Sequence, residues 1–209
     1  MTFVLGLTGS IGMGKSATAA IFRRLGVPVH DADAAVHALY SGKAVPLIDA
    51  AFPGTVVDGA VDRARLGGAV LDAPERLQAL EAIVHPLVRD EEDAFLRRAA
   101  ASGAALAVLD IPLLFETGGQ SRCDAVLVVT APPEVQRRRV LARPGMSAEK
   151  FAAILQKQMP DAEKRGQSHF RVDTGRGFAS AEAQVRSIVQ CLAARPGRVL
   201  HSRPSGPHA

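Results

Sequence analysis

The chain has 209 residues, 47% hydrophobic and 22% charged, which suits one domain with a substantial insertion. Eight Phe, one Tyr and no Trp leave no aromatic platform for single-stranded nucleic acid. A net charge of +4, split into 20 Arg and five Lys with no basic run longer than Arg137-Arg138-Arg139, gives no nucleic-acid footprint.

Cys123 and Cys191 lie far apart without metal-ligand spacing, so reduced thiols are expected. The opening MTFVLGLTGS lacks a charged leader followed by an apolar core, and no run approaches the roughly 20 apolar residues of a membrane helix. A soluble, cytoplasmic protein without membrane or nucleic-acid partners is expected, either a monomer or a weak homo-oligomer.

In chain order, FVLGLT (3–8) reads as a buried strand, SATAAIFRRLG as a helix stopped by Gly26, and VPVHDAD as a short strand ending in acids. This is a βαβ unit. From residue 34 to about residue 101 strand signals are thin and helical spacing prevails, with PGTVVDGAVDR as a turn-rich joint. The long segment from Pro74 contains Pro86, which predicts a kink or interruption. ALAVLD and DAVLVVT then read as central parallel strands, covered on both faces. Two helices around PGMS, a short strand in HFRVD and a closing helix follow; the Pro- and Gly-rich residues 195–209 predict a disordered tail.

Gly9-Ser10-Ile11-Gly12-Met13-Gly14-Lys15-Ser16 fits G-x-x-x-x-G-K-[ST] at every fixed position, after a strand and before a helix. Glycines let backbone N–H groups close around a phosphate, and the helix start adds free N–H groups and a positive dipole end. Lys15 is expected to reach the β- and γ-phosphates, and the Ser16 hydroxyl to ligate Mg²⁺. Residues Gly9, Ser10, Ile11, Gly12, Met13, Gly14, Lys15, Ser16 and Ala17 form the expected nucleotide-binding set. The fold class is α/β: a P-loop NTPase three-layer αβα arrangement with a parallel sheet of about five strands.

The loop implies a nucleoside triphosphate but no particular reaction. Asp31 and Asp33 follow the second strand, at the end where parallel sheets bind ligands. Phosphoryl transfer to an alcohol needs a carboxylate to take the proton, and acids that help hold Mg²⁺. If the segment is extended, both acids share a face; one of the two could instead cap the helix that follows.

Taken together, GLTGSIGMGKS, DAD with His37 four residues on, IVHPLV (83–88) and DIPLLFE (110–116) resemble the dephospho-CoA kinase family, with matching order to about residue 187. The resemblance implies transfer of the ATP γ-phosphate to the ribose 3′-hydroxyl of dephospho-CoA, the last step of coenzyme A synthesis. It implies a nucleotide-binding core (1–33 and 104–194), a helical CoA-binding domain (34–103) and a helical lid (133–160). Carried onto this chain, Asp33 is the general base, and Asp31 assists metal or substrate. Asp110 resembles the strand-end acid that holds Mg²⁺ through water. Leu114 and Glu116 line the acceptor side, and Arg63 and His85 are polar members of the CoA domain. Mg²⁺ ligation stays open among Ser16, Asp31, Asp33 and Asp110.

Arg139 and Arg143 are four residues apart, on one face if helical, and match the family's lid arginines; Arg137 and Arg138 read as a solvated basic face. Cleft-facing guanidinium groups there would neutralise charge on the transferred phosphoryl group. The chain departs from the family at SHFRVDTGRG, where Thr174 stands in place of the usual Asn near the adenine. Other readings are a P-loop kinase with a different small acceptor, or a regulatory ATP-binding module. A GTPase would need N/T-K-x-D, and none of the five Lys is followed by x-Asp.

Overall fold

The structure, a computed structural model, describes residues 1–71 and 73–202. The chain forms two compact units: Met1–His30 with the chain from Arg98 onward, and Asp31–Arg97. The second begins and ends slightly earlier than the insertion expected at 34–103.

The first unit is built on a five-stranded sheet in the order β2-β5-β1-β6-β7. The strands are β1 (Phe3–Thr8), β2 (Val29–Asp31), β5 (Leu106–Asp110), β6 (Ala125–Thr130) and β7 (Phe170–Asp173). β1 lies between β5 and β6, parallel to both, with Leu7 opposite Asp110 and Leu127; β7 continues parallel beyond β6. All of β1 and β5 is buried, as unbroken apolar strands covered on both faces should be. Phe22 of α1 (Lys15–Arg24) and Val185 of α9 (Phe178–Leu192) close one face over Leu5, Leu7, Leu127 and Val129. The C-terminal ends of β1, β5, β6 and β7 therefore share one edge, where the glycine loop leaves β1.

Between β6 and β7 lie α6 (Pro133–Leu141), α7 (Ala148–Gln156) and α8 (Asp161–Gln167). The expected disordered tail is ordered in its described part. Asp124 accepts at Oδ1 from the N–H groups of Arg198 and Val199, at 2.7 and 3.0 Å, and α10 (Val199–Ser202) follows. The other oxygen of the same carboxylate accepts from Val4 N, so one side chain ties the segment to β1. Residues 203–209 of the expected tail lie outside the described residues.

In the second unit α2 (Ala32–Leu39), α3 (Val45–Ala51), α4 (Arg63–Val70) and the N-terminal part of α5 (Pro74–Ala101) enclose Leu39, Ile48, Phe52, Leu66, Leu80 and Val84. The joint read as turn-rich is a two-stranded antiparallel hairpin, β3 (Val56–Val57) and β4 (Ala60–Val61). Its turn residues Asp58 and Gly59 have φ of 50° and 77°, the pairing that a tight hairpin needs. Of the two outcomes expected at Pro86, interruption does not occur: α5 runs through it from Pro74 to Ala101. Pro86 and Ala82, whose carbonyl loses its N–H partner, are both exposed, so water can serve that carbonyl.

Candidate active site

The loop between β1 and α1 turns through left-handed backbone at Gly12 (φ 77°) and Gly14 (φ 96°). Gly14 caps α1 without any side-chain hydrogen bond, and the first turn carries no acid. The opening N–H groups of this ten-residue helix are thus left to an anion, which the helix dipole also favours. At Gly14 a side chain is excluded twice, because a Cβ would sit 3.0 Å from Thr174 Oγ1 on a backbone that L-residues rarely adopt. Ser16 and Ala17 are exposed in the first turn.

Lys15 Nζ lies 2.6 Å from Asp110 Oδ1, and Asp110 is 2% exposed at the end of β5. The register that sets Leu7 opposite Asp110 brings these two together across 95 residues of chain. A hydroxyl at Ser16 and a carboxylate at Asp110 are hard oxygen donors of the kind Mg²⁺ takes. Among the described residues no three His, Cys, Asp or Glu gather as a metal cluster.

The loop is also held from outside. Ile11 N donates to Gln158 Oε1 at 3.1 Å, and Ile11 O accepts from Gln136 Nε2 at 2.7 Å. Met13 is buried: its sulfur accepts from Ala131 N at 3.1 Å, and its carbonyl accepts from Thr174 Oγ1 at 2.7 Å. No local pattern points to these supports: Gln136 and Gln158 belong to no motif, and the departure at Thr174 carries no signal of a contact with the loop.

The two arginines expected on one helical face part company. Arg139, half-buried on α6, donates from Nη1 to Thr174 Oγ1 (2.8 Å) and from Nη2 to Thr174 O (2.9 Å). Arg143 is exposed beyond the end of α6, because the helix stops at Leu141 ahead of Pro144-Gly145.

The expected acceptor-side residues are also redistributed. Leu114 is fully buried against Gly6 and Gly119, so it serves the core. Glu116 accepts from Met159 N at 2.9 Å and pairs at 2.8 Å with Lys164 of α8, which is itself 0% exposed. Burial pushes the Glu116 carboxyl up, but the hydrogen bonds from Lys164 and the backbone outweigh it and hold the group below its usual value. Its role here is a structural tie between the turn after β5 and α8.

Asp31 ends β2 and caps α2, accepting from Ala34 N at 3.0 Å, while Asp33 is exposed in the first helical turn. The extended segment that would place both acids on one face is not formed. An Asp cap ahead of an Ala-rich run starts the helix at Ala32 instead.

In the second unit, Arg63 opens α4 and lies 5.7 Å over the Tyr40 ring. Both residues, with His37 and Asp62, line a cavity of about 480 Å³. Burial pushes the Tyr40 hydroxyl up against the opposing pull of Arg63, and the Arg65 N–H holds the Asp62 carboxyl down. His85 is exposed on α5 and does not line this cavity.

Comparison with known proteins agrees with this geometry. Residues 3–179 match the sequence model of the family described as dephospho-CoA kinase. The chain is 63% identical over 194 residues to a dephospho-CoA kinase of Mesorhizobium japonicum, covering 93% of this chain and 98% of that one. Among solved structures, a Thermus thermophilus protein superposes with a TM-score of 0.80 at 38% identity, over 91% of this chain and 97% of its own. The dephospho-CoA kinase of Campylobacter jejuni does so with 0.71 at 26% identity, over 92% and 98%. With the family matched along most of its length and the phosphate loop formed at the sheet edge, the chain belongs to the dephospho-CoA kinases.

Proposed function

We propose that the protein transfers the γ-phosphate of ATP to the ribose 3′-hydroxyl of dephospho-CoA, giving CoA and ADP. The observation that carries this reading is the match to dephospho-CoA kinases over 93% of the chain, joined to a phosphate loop whose helix start is uncapped. Backbone N–H groups of Gly12 and of Gly14 to Ala17 receive the phosphates, and Lys15 turns its ammonium from Asp110 to the β- and γ-oxygens. Asp33 takes the proton of the 3′-hydroxyl as its oxygen attacks phosphorus, and the bond to the ADP oxygen breaks. Arg139, held beside the loop, offsets charge on the transferred group.

Mg²⁺ supplies charge neutralisation on the phosphates when bound, and Ser16 with Asp110 are the residues that would hold it. Arg63 and the Tyr40-lined cavity receive part of the acceptor, and Asp31 fixes the start of the helix that carries Asp33. His85 is assigned to the acceptor side by resemblance alone. Among the described residues no helix is long and apolar enough to cross a membrane. A cytoplasmic location and a monomeric or weakly homo-oligomeric state are part of this proposal.

The test is incubation with Mg-ATP and dephospho-CoA while ADP and CoA are followed. Wild type should form both in equal amounts and Lys15→Ala neither. Absence of CoA, with wild type and Lys15→Ala alike, overturns the proposal. Adenine preference is checked with GTP, and equal kcat/KM for the two nucleotides would remove ATP as the specific donor.

A further inference from the structure

Thr174 is the residue at which the chain leaves β7. Its side chain has one hydroxyl, with one proton to give and lone pairs to receive. The proton goes to Met13 O at 2.7 Å, much closer than the alternative acceptor, Thr130 O at 3.4 Å. That choice turns the lone pairs toward Arg139 Nη1 at 2.8 Å, and the Thr174 carbonyl takes Arg139 Nη2 at 2.9 Å.

Thr174 is 7% exposed, so water cannot readily replace these bonds. Its side-chain atoms also fill the space beside Gly14, where a Cβ would meet Oγ1, Cγ2 and Cβ between 3.0 and 3.3 Å. One turn earlier on α6, Gln136 holds Ile11 O. Helix α6 is thereby docked on the phosphate loop at two points, one of which is the Thr174 hydroxyl. Arg139 spends two of its five N–H donors on Thr174, and three remain.

We propose that Thr174 is a positioning residue for phosphoryl transfer. Its hydroxyl joins the Arg139 guanidinium to the Met13–Gly14 peptide, so the arginine's remaining donors stay beside the phosphate loop instead of sweeping solvent. This rests on the reading above in which Arg139 serves the nucleotide phosphates.

The test is a double-mutant cycle of Thr174→Val, which keeps the shape and removes the hydroxyl, with Arg139→Ala. Two readouts are followed: kcat/KM for CoA formation, and the calorimetric Kd of a β,γ-imido ATP analogue. The second needs no acceptor. Thr174→Val alone should lower kcat/KM about ten- to hundredfold, the range for a hydrogen bond to a charged group, and weaken the analogue in parallel. In the Arg139→Ala background it should change either quantity less than about threefold, and Thr174→Ser should restore wild-type values within about threefold.

Equal losses in both backgrounds, or no rescue by serine, overturn the proposal. Should Thr174→Val fail to fold, Arg139→Lys gives the answer, since it keeps the charge but cannot span both Thr174 oxygens. It should lose about tenfold, and a variant equal to wild type overturns the proposal. If wild type forms no CoA, the functional reading fails separately, and the cycle is decided on the analogue's Kd.

Discussion

The phosphate side and the acceptor side of this protein are built in opposite ways. Around the phosphate loop the polar groups are already spoken for: Lys15 on Asp110, Ile11 between two glutamines, Met13 and Arg139 on Thr174. In the second unit Asp33, His37, Arg63 and His85 are exposed, and only the core beneath them is tightly packed. A site that must stabilise charge gains from dipoles fixed before the chemical step, and here only Lys15 has to turn, from Asp110 to the phosphates as the nucleotide binds. A site that receives a long, flexible acceptor can leave its polar groups in water until the acceptor displaces it.

This contrast predicts the largest loss at the proton acceptor. Asp33→Asn should lower kcat by about 10²- to 10⁴-fold, the usual contribution of a general base, while the Kd for the ATP analogue stays within about threefold. A matching loss of nucleotide affinity would show that Asp33 belongs to the phosphate side.

Next comes the arginine pair. Arg139→Ala should cost on the order of 10²- to 10³-fold in kcat/KM, because it removes a preorganised donor to the charge on the transferred group. Arg143→Ala should cost less than about tenfold, since its side chain leaves from a turn beyond α6. Equal losses would mean that Arg143 reaches the phosphates despite its exposed position.

Glu116 tests whether the preformed framework also stabilises the fold. Glu116→Gln leaves Lys164 buried without its counter-charge and should cost about 3 kcal/mol at pH 7, measured by urea unfolding. The Glu116 carboxyl is held below its ordinary value of 4.5. The wild-type advantage is therefore complete above that ordinary value and lost as pH falls through the lower folded one. Wild type and variant should converge once pH has fallen below the folded value, and a gap that persists in that acid limit would mean that packing, not charge, makes the tie.

The smallest effect is expected at Arg63. Arg63→Ala should raise KM for dephospho-CoA about threefold to tenfold, the value of a partly exposed cation, and leave KM for ATP unchanged.

Local spacing alone specified the phosphate loop. Its glycines, Lys15 and Ser16 are contiguous, and backbone sterics decide what such a run can do. The buried strands β1, β5 and β6 were legible for the same reason, since an unbroken aliphatic run has few other places to go. The hairpin at Asp58-Gly59 rests on an equally local signal, an Asp-Gly pair between two short apolar runs. The four-residue spacing of Arg139 and Arg143 means a shared face only inside a helix, and α6 ends at Leu141, before Pro144-Gly145. For Asp31 and Asp33 the residue pattern left an extended segment and a helix cap equally open, and the cap at Asp31 is what forms.

What only the tertiary structure decided are the contacts between residues remote in sequence. Gln158 reaches Ile11 across 147 residues, Thr174 reaches Met13 across 161, and Lys15 reaches Asp110 across 95. No periodicity encodes such pairs, because each depends on the order in which the strands lie side by side. Leu114 and Glu116 show the same limit. Their residue types allowed an acceptor-facing loop, and packing beside β1 and α8 turned one into core and the other into a buried tie. The sequence by itself determined where a phosphate can bind; the order of strands in the sheet decided which side chains hold that binding loop in shape.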